Sequence, residues 1–360
     1  VSGDRQQRFT GTKTVGPGLE LNAPRLEAYL ADTIPSFAPP LTIAQFKGGQ
    51  SNPTYRLDSP SGSYVLRRKP PGELLPSAHA VDREYRVICA LHAAGFPVPR
   101  PFVLCGDDAV AGTMFYVMAF VPGRIFWDAA LPDLGRAERF AIYDAMNETL
   151  ARLHGMDYEA LGLADFGKPG NYFARQISRW SKQYRASVTT PTPEMERLLD
   201  WLPANIPAED TVSLVHGDFR LDNLVFHPDR PVVRAVLDWE LSTLGHPLGD
   251  FTYHLMQWRL PPSADGLGIS TLAGKDLARL GIPDETEYAQ RYCERTGRDG
   301  IAHREFYAAY NFFRLAAILQ GIAGRVRAGT APSDHAKAMA ANVQPMARLA
   351  WQFARQAGAP

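Results

Sequence analysis

Residues 214–250 read LVHGDFRLDNLVFHPDRPVVRAVLDWELSTLGHPLGD, and within them three polar side chains recur at a spacing that suits catalysis. Asp218 follows the apolar run 213–215 and falls in a polar loop, Asn223 comes five residues later, and Asp238 closes a second apolar run, 232–237. Short apolar runs bounded by turn residues read as strands. One acid can then act as a base while the Asn and the other acid hold a cation.

Phosphoryl transfer is a chemistry that needs such a set. It leaves the protein little covalent work, so rate comes from positioning and from neutralising phosphate charge. Magnesium keeps several waters and takes one or two protein carboxylates beside substrate phosphates, which suits the sparse pair Asn223 and Asp238 better than a full protein cage. Asp218 remains to accept a hydroxyl proton. The order His216, Asp218, Asn223, apolar strand, Asp238 resembles the catalytic loop and metal-binding Asp of protein kinases. The His-Gly-Asp wording, Asp-Trp-Glu at 238–240 and Gly-Asp at 249–250 are more similar to the aminoglycoside phosphotransferase and choline kinase superfamily. Within it, the chain most resembles the kinase-like domain associated with certain acyl-CoA dehydrogenases. His216 is read as a backbone brace, Arg220 and Asp222 as a solvated pair or cap, and Asp250 as a helix N-cap bracing the loop.

This resemblance implies an α+β, bilobal protein-kinase-like fold: a polar tail over 1–22, a small antiparallel-sheet N-lobe over 23–121, and a larger, mainly helical C-lobe over 122–360. It implies ATP and Mg²⁺ as cofactors, with Asp218 as the catalytic base and Asn223 and Asp238 on the metal. Arg67 stands where the family has a strand Lys that grips phosphates, and Glu84 matches its helix partner. Met118 and Phe120 fall where the strand and hinge enclose adenine.

The residues support a nucleotide half on their own terms. Gly48-Gly49-Gln50-Ser51-Asn52 lies between two strand-like runs, so Gly48, Gly49, Ser51 and Asn52 can bring backbone amides close to phosphate. No Gly-Lys-Ser or Gly-Lys-Thr follows, which excludes a Walker A loop. Strand alternation puts Val65, Arg67 and Lys69 on one face, so Lys69 stands as the alternative phosphate ligand. An Arg there binds bidentately and cannot lose its charge.

Around these motifs the patterning is regular. Residues 23–31 predict a helix, 41–46, 54–57 and 63–67 an antiparallel meander, and 78–94 a helix carrying Val81, Tyr85, Ile88 and Leu91 on one face. Strands follow at 102–104 and 113–120, and Val121-Pro122-Gly123 marks the lobe boundary. Residues 137–154 repeat with helical period and stop at Gly155.

Composition narrows the partners. With Lys plus Arg and Asp plus Glu at 38 each, no bulk charge points to nucleic acid or an acidic membrane. Three cysteines without ligand spacing support neither a disulfide framework nor a zinc site. The apolar stretch 306–326 is broken by Asn311, Arg314, Gln320 and Arg325, which argues against a membrane span. With no signal-like N-terminus, the expected compartment is the cytoplasm. The expected partner is a small hydroxylated substrate, and a homodimer is left open.

The function these features predict is a small-molecule kinase moving the γ-phosphate to a metabolite hydroxyl, with a hydroxyacyl-CoA as acceptor class on the strength of the resemblance. Trp180, Tyr184, Trp258, Arg259, Tyr310, Phe313 and Arg314 are the candidate acceptor linings. The alternatives are a nucleotide-binding pseudokinase, favoured by Arg67; an aminoglycoside phosphotransferase, disfavoured by the lack of an acidic run over 124–360; and a metal-dependent hydrolase using His216, Asp218 and Asp238.

Overall fold

The computed structural model describes the chain apart from residues 1, 49–51, 73–78, 189, 263–269 and 328–333, and the side chains of 2–5 and 334–335. The chain divides into two compact units. One comprises Val1–Asp128, Asp157–Phe166 and Arg220–Ser242; the other comprises Ala129–Met156, Gly167–Phe219 and Thr243–Pro360. The first therefore runs past the boundary expected at residue 121 and takes in two later segments.

The first unit is built on a six-stranded antiparallel sheet. Its strands are β1 (Thr12–Lys13), β2 (Thr42–Phe46), β3 (Thr54–Ser59), β4 (Gly62–Arg68), β5 (Pro101–Cys105) and β6 (Phe115–Ala119), in the order β1-β2-β3-β4-β6-β5. Alternation along the central strands sets its two faces. Tyr55 and Leu57, Tyr64 and Leu66, and Phe115 and Val117 join one core with Leu26 and Leu30. Those two leucines lie four residues apart on a helix, so both reach the sheet. Val65 and Arg67 on β4, paired with Met118 and Tyr116 on β6, face a cavity instead.

Among the described residues, the helices of this unit are α1 (Ser2–Phe9), α2 (Ala23–Thr33), α3 (Val81–Ala93) and α4 (Asp108–Ala111). Asn22 caps α2, its side chain accepting from Arg25 N at 3.1 Å. On α3 the inward stripe is Val81, Glu84, Val87, Ile88 and Leu91, while Tyr85 is half-buried. A carboxylate thus occupies a core-facing position that hydrophobic periodicity alone gives to Tyr85. The region expected as a polar tail holds α1 and β1; Phe9, the one apolar residue of α1, packs on Trp127.

Residues 220–242 close the unit with a hairpin, Leu224–Phe226 against Val233–Val236, flanked by 3₁₀ turns Leu221–Asn223 and Trp239–Leu241. Arg124 and Phe226 exchange two backbone hydrogen bonds of 2.8 Å. Gly123 permits this approach, since a Cβ there would lie 2.2 Å from the Phe226 carbonyl oxygen.

The second unit is helical: α5 (Arg136–His154), α6 (Tyr172–Ser187), α7 (Pro193–Ala204), α8 (Pro247–Arg259), α9 (Leu277–Leu280), α10 (Glu285–Thr296), α11 (Arg304–Arg327), α12 (Asp334–Ala340) and α13 (Val343–Gln356). Helix α11 is its axis, packed against α6, α8, α12 and α13 and buried on most of its circumference. The polar residues that interrupt its apolar run have partners: Asn311 Nδ2 donates to Gly249 O and Thr252 Oγ1, and Arg314 donates to Gly217 O. Among the described residues no helix is long and apolar enough to cross a membrane. The short strand Ser213–Val215 pairs with Thr243–Gly245.

Candidate functional site

A cavity of about 200 Å³ lies within the first unit, lined by Gly48, Arg67, Glu84, Met118, Phe120, Asn223 and Asp238 among others. These residues come from the loop after β2, from β4, α3, β6 and the residue after it, and from the chain just before and just after the 224–236 hairpin. The hairpin register pairs Leu224 with Val236, and Leu237 N donates to Asn223 O at 2.8 Å. That pairing carries Asn223 and Asp238 to the same end of the hairpin although they lie far apart in sequence. Lys69 is not among the lining residues; its ammonium is 3.9 Å from Asp82. Asn52 is buried beside the cavity rather than lining it, and Gly49 and Ser51 lie outside the described residues.

Arg67 is the centre of a charge cluster. Its Nε meets Glu84 Oε2 at 3.0 Å, and its Nη2 meets Asp238 Oδ1 at 2.5 Å and Glu240 Oε2 at 3.3 Å. Burial would lower the Arg67 pKa, but Glu84 and then Asp238 outweigh it, and the guanidinium is held protonated. The Glu84 carboxyl is pushed up by burial, to about 7, against the pull of Arg67. Glu84 Oε1 also accepts from Trp239 N at 3.2 Å, so one buried carboxylate fixes both Arg67 and the backbone beside Asp238. Asp238 adopts a left-handed backbone, φ 65° and ψ 58°. That conformation costs a non-glycine residue about 1 kcal/mol or more and concentrates at functional sites.

Glu240 stands two residues from Asp238 and joins the same cluster. It accepts from Asn52 Nδ2 at 3.3 Å, and Asn52 Oδ1 lies 2.8 Å from His79 Nδ1. Three carboxylates thus share the Arg67 guanidinium. Among the described residues no group of three or more His, Cys, Asp or Glu is arranged to hold a metal ion. The amide of Asn223 and the part-exposed carboxylate of Asp238 are a hard-oxygen pair of the kind magnesium takes alongside phosphate oxygens and water.

Asp218 belongs to the second unit, in a loop held from behind. Gly217 takes φ +84°, and the amides of His216 and Gly217 donate to the two oxygens of Asp250 at 2.7 and 2.9 Å. Burial works to raise the Asp250 pKa, but the His154 hydrogen bond at 3.2 Å and the His216 contacts bring it below the usual carboxylate value. His216 is fully buried, and its Nδ1 accepts from Asp218 N at 3.1 Å. Asp250 is not the N-cap of α8; His246 is, its ring accepting from Leu248 N at 3.2 Å. The proline at the first helical position moves the helix start upstream and leaves Asp250 to face the loop.

A residue that the sequence reading passed over completes this group. Tyr253 donates from its hydroxyl to Asp218 Oδ1 at 2.6 Å. It stands three residues after Asp250 on α8, the spacing that puts both side chains on the helix face toward the loop. The Arg314 guanidinium lies over the Tyr253 ring at 4.9 Å and bonds to Gly217 O at 2.9 Å. Of the expected acceptor linings, Trp180, Tyr184, Trp258, Tyr310 and Phe313 are core, and Arg259 is engaged by Glu285. Arg314 touches the Asp218 loop through its bond to Gly217 O.

Comparison with known proteins gives a consistent result. The description "Phosphotransferase enzyme family" attaches to the family profile that matches residues 42–308. Acyl-CoA dehydrogenase family member 10 of Mus musculus is 46% identical over 348 residues, covering 96% of this chain and 32% of that protein. Acyl-CoA dehydrogenase family member 11 of Homo sapiens is 42% identical over 346 residues, covering 94% and 44%. The chain thus spans less than half the length of these curated relatives. A Ralstonia eutropha protein of known structure, described as a candidate aminoglycoside phosphotransferase, is 50% identical with a TM-score of 0.85, covering 94% of this chain and 99% of that one. An aminoglycoside phosphotransferase crystallised with ADP and hygromycin B shares the fold at 16% identity, with a TM-score of 0.58 and coverage of 93% and 99%.

Proposed function

The chain belongs to the phosphotransferase enzyme family, and from that premise we propose that it is an ATP- and Mg²⁺-dependent kinase of a small hydroxylated metabolite. The reading is carried by one observation: Arg67, Glu84, Asp238 and Glu240 form a single ion cluster, with Asp238 and Asn223 both lining an otherwise largely apolar cavity. An apolar slot with a few convergent charged groups suits a nucleotide, the base in the slot and the phosphates at the charges.

In this reading Arg67 holds phosphate oxygens, kept in place and charged by Glu84. Asn223 and Asp238 would hold magnesium, which when bound neutralises charge on the β- and γ-phosphates. Asp218 accepts the proton of the acceptor hydroxyl; the oxygen then forms its bond to the γ-phosphorus as the bond to the β–γ bridging oxygen breaks, releasing ADP. Tyr253 orients the Asp218 carboxylate through its hydroxyl. A hydroxyacyl thioester of coenzyme A is the acceptor class favoured by the acyl-CoA dehydrogenase names of the relatives.

The test is the thermal shift of the chain with ATP and Mg²⁺, followed by ³¹P detection of product over hydroxyacyl-CoAs, amino alcohols, sugars and aminoglycosides. Stabilisation with transfer to hydroxyacyl-CoA is expected. Transfer to an aminoglycoside instead would overturn the acceptor class, ATP binding without transfer to any of them would favour a pseudokinase, and no stabilisation would count against the nucleotide site.

A further inference from the structure

The family match begins at residue 42, yet the cavity wall includes Phe9. Helix α1 and strand β1 precede the matched region and are fastened to the first unit along their length. Gln6 Nε2 donates to Ile125 O at 2.9 Å, and Trp127 N donates to Gln6 Oε1 at 3.2 Å. Lys47 N donates to Gly11 O at 3.1 Å, and its ammonium reaches Gln7 O at 3.3 Å. Thr12 then pairs with Phe46 at the sheet edge. Backbone and side-chain bonds of this kind fix a segment whose composition alone gives little reason to pack.

What the fastening achieves is the placing of one ring. Phe9 stacks on Trp127 with centroids 4.8 Å apart and planes 26° from parallel, and both rings line the cavity. Phe46 and Phe120, also in the lining, stack at 6.4 Å and 16°. Gly48 sits against the first pair: a Cβ there would lie 3.5 Å from Phe9 O and 3.7 Å from the Trp127 ring. The cavity therefore carries two aromatic pairs in addition to the charge cluster on Arg67. Stacked aromatic rings recognise flat π-systems and give nothing to phosphate.

We propose that the segment Ser2–Lys13 is a wall of the nucleotide pocket, in which the Phe9–Trp127 pair covers the purine base and slows its departure. The proposal rests on the nucleotide reading of this cavity. It makes Phe9 and Trp127 base-binding residues, of which Phe9 comes from outside the family's matched region, and it assigns them no contact with the phosphates.

The experiment uses the full chain, wild type and with Phe9→Ala, Phe9→Trp or Trp127→Ala. Affinity for Mg-ATP is measured by calorimetry and its dissociation by stopped-flow chase, with Mg-tripolyphosphate, which has no base, measured as a competitor. Phe9→Ala and Trp127→Ala should weaken ATP about tenfold, mainly through faster dissociation, while the tripolyphosphate inhibition constant stays unchanged and Phe9→Trp restores ATP binding. ATP affinity within twofold of wild type in both alanine variants overturns the proposal. So does an equal loss for ATP and tripolyphosphate, which would mean general damage to the unit. Absence of ATP binding by the wild type removes the nucleotide reading and this proposal together; wild-type binding lost in Asp238→Ala but indifferent to Phe9 removes this proposal alone.

Discussion

Glu84 and Asp250 are both buried carboxylates, one in each unit, and they handle charge in opposite ways. Asp250 accepts two backbone amides and faces His154, and its pKa falls. Glu84 shares one guanidinium with Asp238 and Glu240, and its pKa rises, by burial first and by those two acids second. Asp250 takes its donors from the backbone and a histidine and so fixes geometry, whereas Glu84, with both oxygens also engaged, shares its guanidinium with two other acids. A set of acids with too few cations holds a negative potential that a bound cation would relieve. The first arrangement suits the support of a loop, the second suits a place where a charged ligand arrives.

That contrast is broken most severely at Asp250. Replacing it by Ala strands two buried amides and the His154 contact, and the loss expected for breaking such a system is about 3–5 kcal/mol of folding stability. Urea unfolding followed by tryptophan fluorescence would measure it; a change below about 1 kcal/mol would mean that the carboxylate is not the brace of the loop. Glu84→Gln, which keeps volume and one acceptor, should cost less.

At Asp218 the effect should be kinetic instead. Asp218→Asn is expected to lower kcat on the order of a hundredfold or more with ATP affinity unchanged, whereas Asp238→Ala should remove the magnesium dependence of ATP binding. Titrations of both variants with and without EDTA separate the two roles. If both variants lost affinity equally, the division of labour between the acids would be wrong.

Tyr253→Phe probes the link between α8 and the proposed base, Asp218. It removes one charge-assisted hydrogen bond to Asp218, so kcat should fall about tenfold while the melting temperature and the KM for ATP hold. A matched loss of stability and activity would assign Tyr253 to packing alone.

The smallest effect is the response to pH, and the two units should differ in its sign. Glu84, raised to about 7, keeps in the folded state a proton that the unfolded chain releases near its ordinary pKa of 4.5. Its contribution therefore decreases as pH rises through that window. His246 and His254, both lowered to about 4 by burial, refuse a proton that the unfolded chain accepts near 6.5. Their contribution is present above pH 6.5 and is lost as pH falls toward 4. Hydrogen exchange corrected for intrinsic rate, compared at pH 5 and 7, should show protection around α3 rising on acidification while protection in α8 falls. A rise in both, or a fall in both, would sink the assignment.

The parts of this molecule legible in the sequence are those whose geometry is local. Asp218 and Asn223 lie within one short loop segment, and the alternation of β4 put Val65 and Arg67 on one face. Glu84 was found through the family pattern rather than through periodicity, which favoured Tyr85 for the inward face. Strand partners were less legible: Ser213–Val215 pairs with Thr243–Gly245, and Leu224–Phe226 pairs with Val233–Val236. Runs of three or four residues carry too little pattern to choose a partner, and the choice is made when distant segments pack. Glu240, Tyr253 and Phe9 share that dependence. Each is an ordinary residue until a backbone remote in sequence brings a partner to it, as α1 shows: a helix with one apolar residue, aimed at a ring more than a hundred positions later.

The assignment of residues 220–242 to the first unit has a consequence for the order in which the protein comes into being. The sheet and α3 leave the ribosome early, but Arg67 meets Asp238 across 171 residues of chain. At ordinary rates of synthesis that interval is on the order of ten seconds or more. Throughout it the nascent sheet carries Arg67 with Glu84 but without Asp238, Glu240 or the Trp239 amide, so half of the charge cluster waits for a segment not yet made. Chaperone occupancy of arrested nascent chains ending before and after residue 242 would show whether the cell shelters the unfinished half.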